Sequence, residues 1–116
     1  MKPEIKTRWI AKLLSGEFQQ GRGTLRSSDN KFCCLGVLCE LAVENGIIPK
    51  PTLNESSSQF EYGASFATGL PPYEVVIWAQ LGERNPSTKS TGHSFAFQND
   101  HGSSFADIAK MIEETL

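Results

Sequence analysis

The chain has 116 residues, of which 39% are hydrophobic and 21% charged, with a formal net charge of −2. That length suits one domain with a real core and excludes a TIM barrel, a helicase-like motor or a multidomain enzyme. No apolar run reaches the roughly 18 residues of a membrane span, and Met1–Lys6 has no apolar signal region, so a reduced cytosolic setting is expected.

Residues 3–15 read as a helix, with Pro3 in its first turn and Ile5, Trp9, Ile10, Leu13 and Leu14 on one face before Gly16. Residues 17–26 predict a turn and a short strand. Ser27-Ser28-Asp29-Asn30 then turns the chain so that Lys31-Phe32-Cys33 returns as the second strand of a hairpin. Cys34, Leu35, Val37, Leu38, Leu41 and Ala42 continue as a buried helix that stops at Asn45-Gly46. Residues 52–59 read as a polar loop and Phe60-Glu61-Tyr62 as a short strand. Leu70-Pro71-Pro72 opens a helix carrying Val75, Val76, Ile77, Trp78 and Leu81. After a loop over 83–93, the alternation in Ser94-Phe95-Ala96-Phe97-Gln98 favours a strand over a short helix, and 99–102 reads as a turn. Ser103 or Ser104 caps a last helix with Phe105, Ile108, Ala109 and Ile112 inward. The expected fold class is therefore α+β: a single domain over 1–116, with about four helices and a few short antiparallel strands.

The charge is uneven. Residues 1–31 hold seven basic and three acidic residues, a balance of +4, and residues 32–116 hold four basic and ten acidic, a balance of −6. Such a segment is either a solvated basic face or a rim that receives an anion. The three cysteines, Cys33, Cys34 and Cys39, form no disulfide framework and no Cys-x-x-Cys pair. They read as small core hydrophobes, and no metal is expected.

Three segments could carry chemistry. Gln20-Gly21-Arg22-Gly23-Thr24-Leu25-Arg26 combines glycines, which let backbone approach a ligand, with arginine forks suited to phosphate. It completes no Walker or dinucleotide fingerprint, so no cofactor is expected. Lys31 to Gly36 runs from a strand into a helix start, where free N–H groups and the positive helix pole favour an anion. If the hairpin folds Arg22 and Arg26 towards Cys34 and Gly36, three positive features converge. Asn99-Asp100-His101-Gly102 places a carboxylate beside a titratable imidazole, but neighbours in a turn rarely aim at one atom, and no nucleophile is nominated. The acidic Ser103–Glu113 helix has no recognition helix after it, so DNA reading is not expected.

Trp9…Ser15-Gly16, Gln20-Gly21-x-Gly-x-Leu25-Arg26, Cys33-Cys34-Leu35-Gly36-Val37-Leu38-Cys39, Leu70-Pro71-Pro72, Trp78 and Asn99-Asp100-x-Gly102-x-Ser104-Phe105 together span nearly the whole chain. The pattern resembles a family of small proteins encoded in bacteriophages and prophages. The resemblance implies a phage protein acting against host immunity in the host cytoplasm. One such class consists of non-enzymatic sponges for cyclic dinucleotides or ADP-ribose derivatives. On that reading Arg22 and Arg26 hold phosphate, with Gln20, Gly21, Gly23 and the amides near Cys34 and Gly36 around it. Trp9 or Tyr62 stacks on the base, and Asn99 and Asp100 complete the site. The expected partner is a small phosphorylated nucleotide, with neither DNA nor membrane involved and a homo-oligomer enclosing the ligand. The rivals are a protein-binding inhibitor of a host defence effector, like an anti-CRISPR, and a small hydrolase of the signal.

Overall fold

A computed structural model describes all 116 residues. Helix α1 (Pro3–Leu14) buries Ile5, Trp9 and Leu13, at helical spacing, against the rest of the domain. Leu14, expected on that face, is instead 57% exposed, because it lies one position past the buried stripe. The Lys2 amide donates to Ala79 O at 2.9 Å and ties the start of the chain to the end of α3 (Tyr73–Ala79).

Helix α2 (Cys34–Glu44) lies at the centre and buries Cys34–Cys39, Leu41 and Ala42, so it is apolar nearly all round. Helices α1, α3, α4 (Phe95–Asp100) and the short strand β2 (Lys31–Phe32) all contact α2. Helix α5 (Phe105–Thr115) packs on α1 and α4, buries Phe105, Ile108, Ala109 and Ile112, and starts with a capping box between Ser104 and Asp107. Across this core the Trp9 indole N–H donates to Cys34 O at 2.9 Å, and the Trp9 and Phe95 rings meet at 6.4 Å.

The hairpin expected across 17–33 is replaced by a different pairing. Strand β1 (Gln19–Gln20) runs parallel to β2 (Lys31–Phe32), with Gln19 opposite Lys31 and Gln20 opposite Phe32. Of the hairpin only one antiparallel bridge remains, between Arg26 and Phe32. The reason lies in composition: residues 19–24 offer no apolar row to hold a continuous strand, while Leu25 is pulled fully into the core. The loop around Leu25 is fixed by bonds from its own N–H to Thr68 O and from Cys33 N–H to Leu25 O.

Two further expectations are corrected. Residues 52–59 are no simple loop: β3 (Thr52–Asn54) and β4 (Gln59–Glu61) form an antiparallel hairpin with Leu53 opposite Phe60. The Asn54 carboxamide oxygen accepts from Ser56 and Ser57 N–H and builds the serine-rich turn. Tyr62 lies beyond β4 and bridges to Ala67. Residues 94–98 belong to helix rather than strand, and Asn99 and Asp100 extend that helix. Ser94 caps it by accepting from Phe97 N–H, and Phe95 and Asn99, four apart, form its buried face. The domain is α+β, with five helices and two small two-stranded sheets. No helix is long and apolar enough to cross a membrane.

Candidate anion-binding groove

The parallel pairing of β1 with β2 is what positions the groove. Gly21 continues β1, its N–H donating to Phe32 O at 2.7 Å. A Cβ at Gly21 would lie 2.7 Å from Lys31 Cβ, so only glycine lets the chain run this close to β2. Arg22, exposed and without an acidic partner, therefore stands beside Lys31 across a groove of about 350 Å³ lined by Gln20, Gly21, Arg22 and Lys31. Lys31 Nζ is 3.7 Å from Asp29 Oδ2, a solvent-exposed contact worth little. The groove wall carries two cations and no carboxylate.

Beneath the groove the buried Asn99 carboxamide joins three elements. Its Oδ1 accepts from Gln20 Nε2 at 2.9 Å and from Cys34 N–H at 3.1 Å. Its Nδ2 donates to Gly21 O at 2.9 Å and to Asp100 Oδ1 at 3.1 Å. Gln20 Nε2 also reaches Ser103 O, and Asp100 Oδ1 accepts from Gly23 N–H at 3.0 Å. Gln20, Gly21, Gly23, Cys34, Asn99 and Asp100 are thus brought together. Asn99 fills the position at the start of α2 where an anion was expected to sit.

Several expected ligand contacts are corrected by this packing. The α2 amides are already satisfied: Cys34 N–H by Asn99, and Gly36 N–H by Cys33 Sγ at 3.4 Å. Gly36 makes room for the chain itself, since a Cβ there would fall 1.8 Å from Leu25 O. Arg26 does not join Arg22. Its guanidinium lies over Phe60 (4.1 Å) and Phe32 (5.1 Å), donates twice to Asn30 Oδ1, and sits 3.6 Å from Glu40 Oε1. Trp9 and Tyr62 are fully buried, so neither has a face for a base. The Tyr62 hydroxyl donates to Glu40 Oε2 at 2.7 Å; burial, reinforced by that carboxylate, drives its pKa far above the usual phenol range.

A family model described as Domain of unknown function (DUF8296) matches residues 1–116. The chain belongs to this family. No match is found among curated proteins or among solved structures.

In this DUF8296 domain all three thiols are buried, and burial pushes Cys33 up to about 11 and the other two upwards as well. They are inert packing groups rather than nucleophiles. No three His, Cys, Asp or Glu side chains cluster as a metal site would require. A larger cleft of about 520 Å³ opens between α1 and α2, but its Lys12 is held between Glu44 (3.0 Å) and Glu17 (3.3 Å), neutralising it from within. Two features escaped sequence reasoning. Lys31 enters the groove only through the parallel register, which no local motif announces. The exposed rings of His93, Phe97 and His101 stack in sequence, at 4.3 Å and 3.9 Å, and their spacing of four residues was the visible signal.

Proposed function

We propose that the domain is a non-enzymatic binder that sequesters a small phosphorylated, nucleotide-derived signal in the host cytoplasm, as a phage protein acting against host immunity would. The observation that carries this reading is the Arg22–Lys31 groove: two cations, a glycine backbone between them and no carboxylate in the lining. Arginine offers a planar fork and lysine a point charge, a pairing suited to phosphate oxygens. The expected phosphate contact therefore narrows from Arg22 with Arg26 to Arg22 with Lys31. The groove is open, so enclosing a ligand calls for a second copy of the chain, which light scattering with and without ligand would detect.

Thermal shift and isothermal titration with pyrophosphate, ADP-ribose and cyclic dinucleotides test the reading. A ligand at 100 times its Kd adds about 2.7 kcal/mol of stability. The double variant Arg22→Ala with Lys31→Ala is expected to abolish that gain while keeping the parent melting temperature within a few degrees. If no ligand raises the melting temperature, or if the double variant binds as the parent does, the reading fails.

A second reading, a protein-binding inhibitor of a host effector, is favoured by a separate observation. Tyr73 and Ile77, four apart on α3, and Phe66 on the adjoining turn are 63%, 73% and 68% exposed. Replacing Ile77 with Glu would then abolish antagonism of the host effector, while changes at Arg22 and Lys31 would leave it intact.

A further inference from the structure

The groove accounts for a phosphate but not for a base, because Trp9 and Tyr62 are sealed in the core. The aromatic surface that remains is the column formed by His93, Phe97 and His101. Its rings are nearly parallel, with interplanar angles of 20° and 16°, and all three residues are exposed. The column is held at both ends. His93 O accepts from Thr88 N–H at 2.7 Å, and His101 Nδ1 lies 2.9 Å from Phe97 O. A carbonyl only accepts, so Nδ1 carries the proton there and the imidazole is locked flat against Phe97. With Phe97 between them the two imidazoles cannot share a metal ion, which leaves their outer faces as the chemistry of the column.

The column runs along α4, each ring one turn beyond the last. Phe97 covers one face of the His101 ring, and the other face, on the exposed residue that caps the C-terminal end of α4, carries no aromatic neighbour. That end is where the glycine loop docks, through the 3.0 Å bond from Gly23 N–H to Asp100 Oδ1. His101 follows Asp100 in the chain and Arg22 precedes Gly23, so this one bond links the imidazole column to the groove residues. Asp100 Oδ1 is occupied by Gly23 and Asn99, whereas Oδ2 makes no bond within the chain and is left as a free acceptor. An imidazole face, a carboxylate acceptor and a cationic groove are the three chemistries that a nucleotide's base, ribose and phosphate call for.

We infer that the outer face of His101 is a stacking platform for a purine base, so that the ligand of the Arg22–Lys31 groove is a purine nucleotide whose ribose lies against Asp100. The inference rests on the phosphate reading of that groove and adds the base to it. Base–aromatic stacking on proteins corresponds to roughly 10- to 100-fold in affinity.

AMP and ribose 5-phosphate differ only in the base, and titrating both separates the two claims. AMP is expected to bind at least about tenfold more tightly than ribose 5-phosphate. His101→Ala should bring AMP down to the ribose 5-phosphate level and leave ribose 5-phosphate unchanged, and His101→Phe should restore most of the difference. In the unmodified chain, the His101 ring protons should move upfield on adding AMP and stay in place on adding ribose 5-phosphate. If both compounds bind equally through Arg22 and the His101 resonances do not move, the platform is wrong and the groove stands. If neither binds, the groove reading falls and takes the platform with it.

Discussion

Replacing Asn99 with Ala tests whether the centre of this fold depends on one carboxamide. The substitution leaves Cys34 N–H, inside the core, with no acceptor. It also removes a partner from Gln20, which keeps Ser103 O, and from Gly21 O, which lies near the surface and can turn to water. An orphaned buried N–H costs about 1–3 kcal/mol, and each lost but compensated bond about 0.5–1.5 kcal/mol. The expected loss is about 3 kcal/mol, a large part of the 5–15 kcal/mol typical of a whole domain. For a chain of this size it corresponds to a fall of roughly 10–15 °C in Tm. Urea denaturation followed by circular dichroism would measure it, with an unchanged m-value showing that the same surface unfolds. A loss below about 1 kcal/mol would refute the reasoning, because it would mean that water serves the start of α2 as well as Asn99 does. Asn99→Asp gives a second check. It sets a new carboxyl beside the Asp100 carboxylate and against Gly21 O, which raises the folded-state pKa of residue 99 above the ordinary Asp range. Compared with the parent at each pH, the variant should be least impaired in acid and lose stability as pH rises through that raised pKa.

Gly36→Ala should prevent accumulation of folded protein, since its Cβ would meet a backbone oxygen, Leu25 O, at 1.8 Å with α2 fixed on every side; soluble protein with parent-like melting would contradict this. The native thiols should resist iodoacetamide at pH 8 and all react once urea unfolds the chain; rapid labelling of folded protein would show that Cys33–Cys39 opens locally. Because Cys33 is raised from 9.0 to about 11, its burial stabilises the fold fully below pH 9, and that contribution is lost as pH climbs towards 11; melting at graded alkaline pH, compared with Cys33→Ser, would trace it. Tyr62→Phe removes only the bond to Glu40, which keeps Arg26, so a loss of about 1 kcal/mol is expected by urea denaturation; a loss above about 3 kcal/mol would mean that Tyr62, rather than Arg26, holds Glu40 in place.

The longer helices were legible because their local signals agree. Pro3, Asn45-Gly46 and Ser104 punctuate stretches whose apolar spacing is helical, so caps and packing point the same way. In α4 Phe95 and Phe97 mimic a strand's alternation, whereas the inward pair is Phe95 with Asn99, so a polar residue hides the helical period. The β3–β4 hairpin escaped because it lies on the surface and needs little apolar content. Arg22 and its flanking glycines could be picked out as a possible ligand edge. Their true neighbour Lys31, and the loss of Arg26 to Glu40 and two phenylalanine rings, depend on contacts that no local pattern encodes. Burial of Trp9 and Tyr62 was likewise unreadable, since an aromatic with a polar tip serves a core and a binding surface equally well.

The amide that completes α2 is made long after the helix it caps. Residue 34 emerges from the ribosome long before residue 99, its hydrogen-bonding partner 65 positions along the chain. Until then the central helix has an open end, and Gln20 and Gly21 wait for the same side chain. The nascent N-terminal half can collapse around Trp9 and Leu38 but cannot close until Asn99 is available. A chaperone that shields apolar helices would have its chance in that interval, and a chain arrested before residue 99 would be a ready target for proteases.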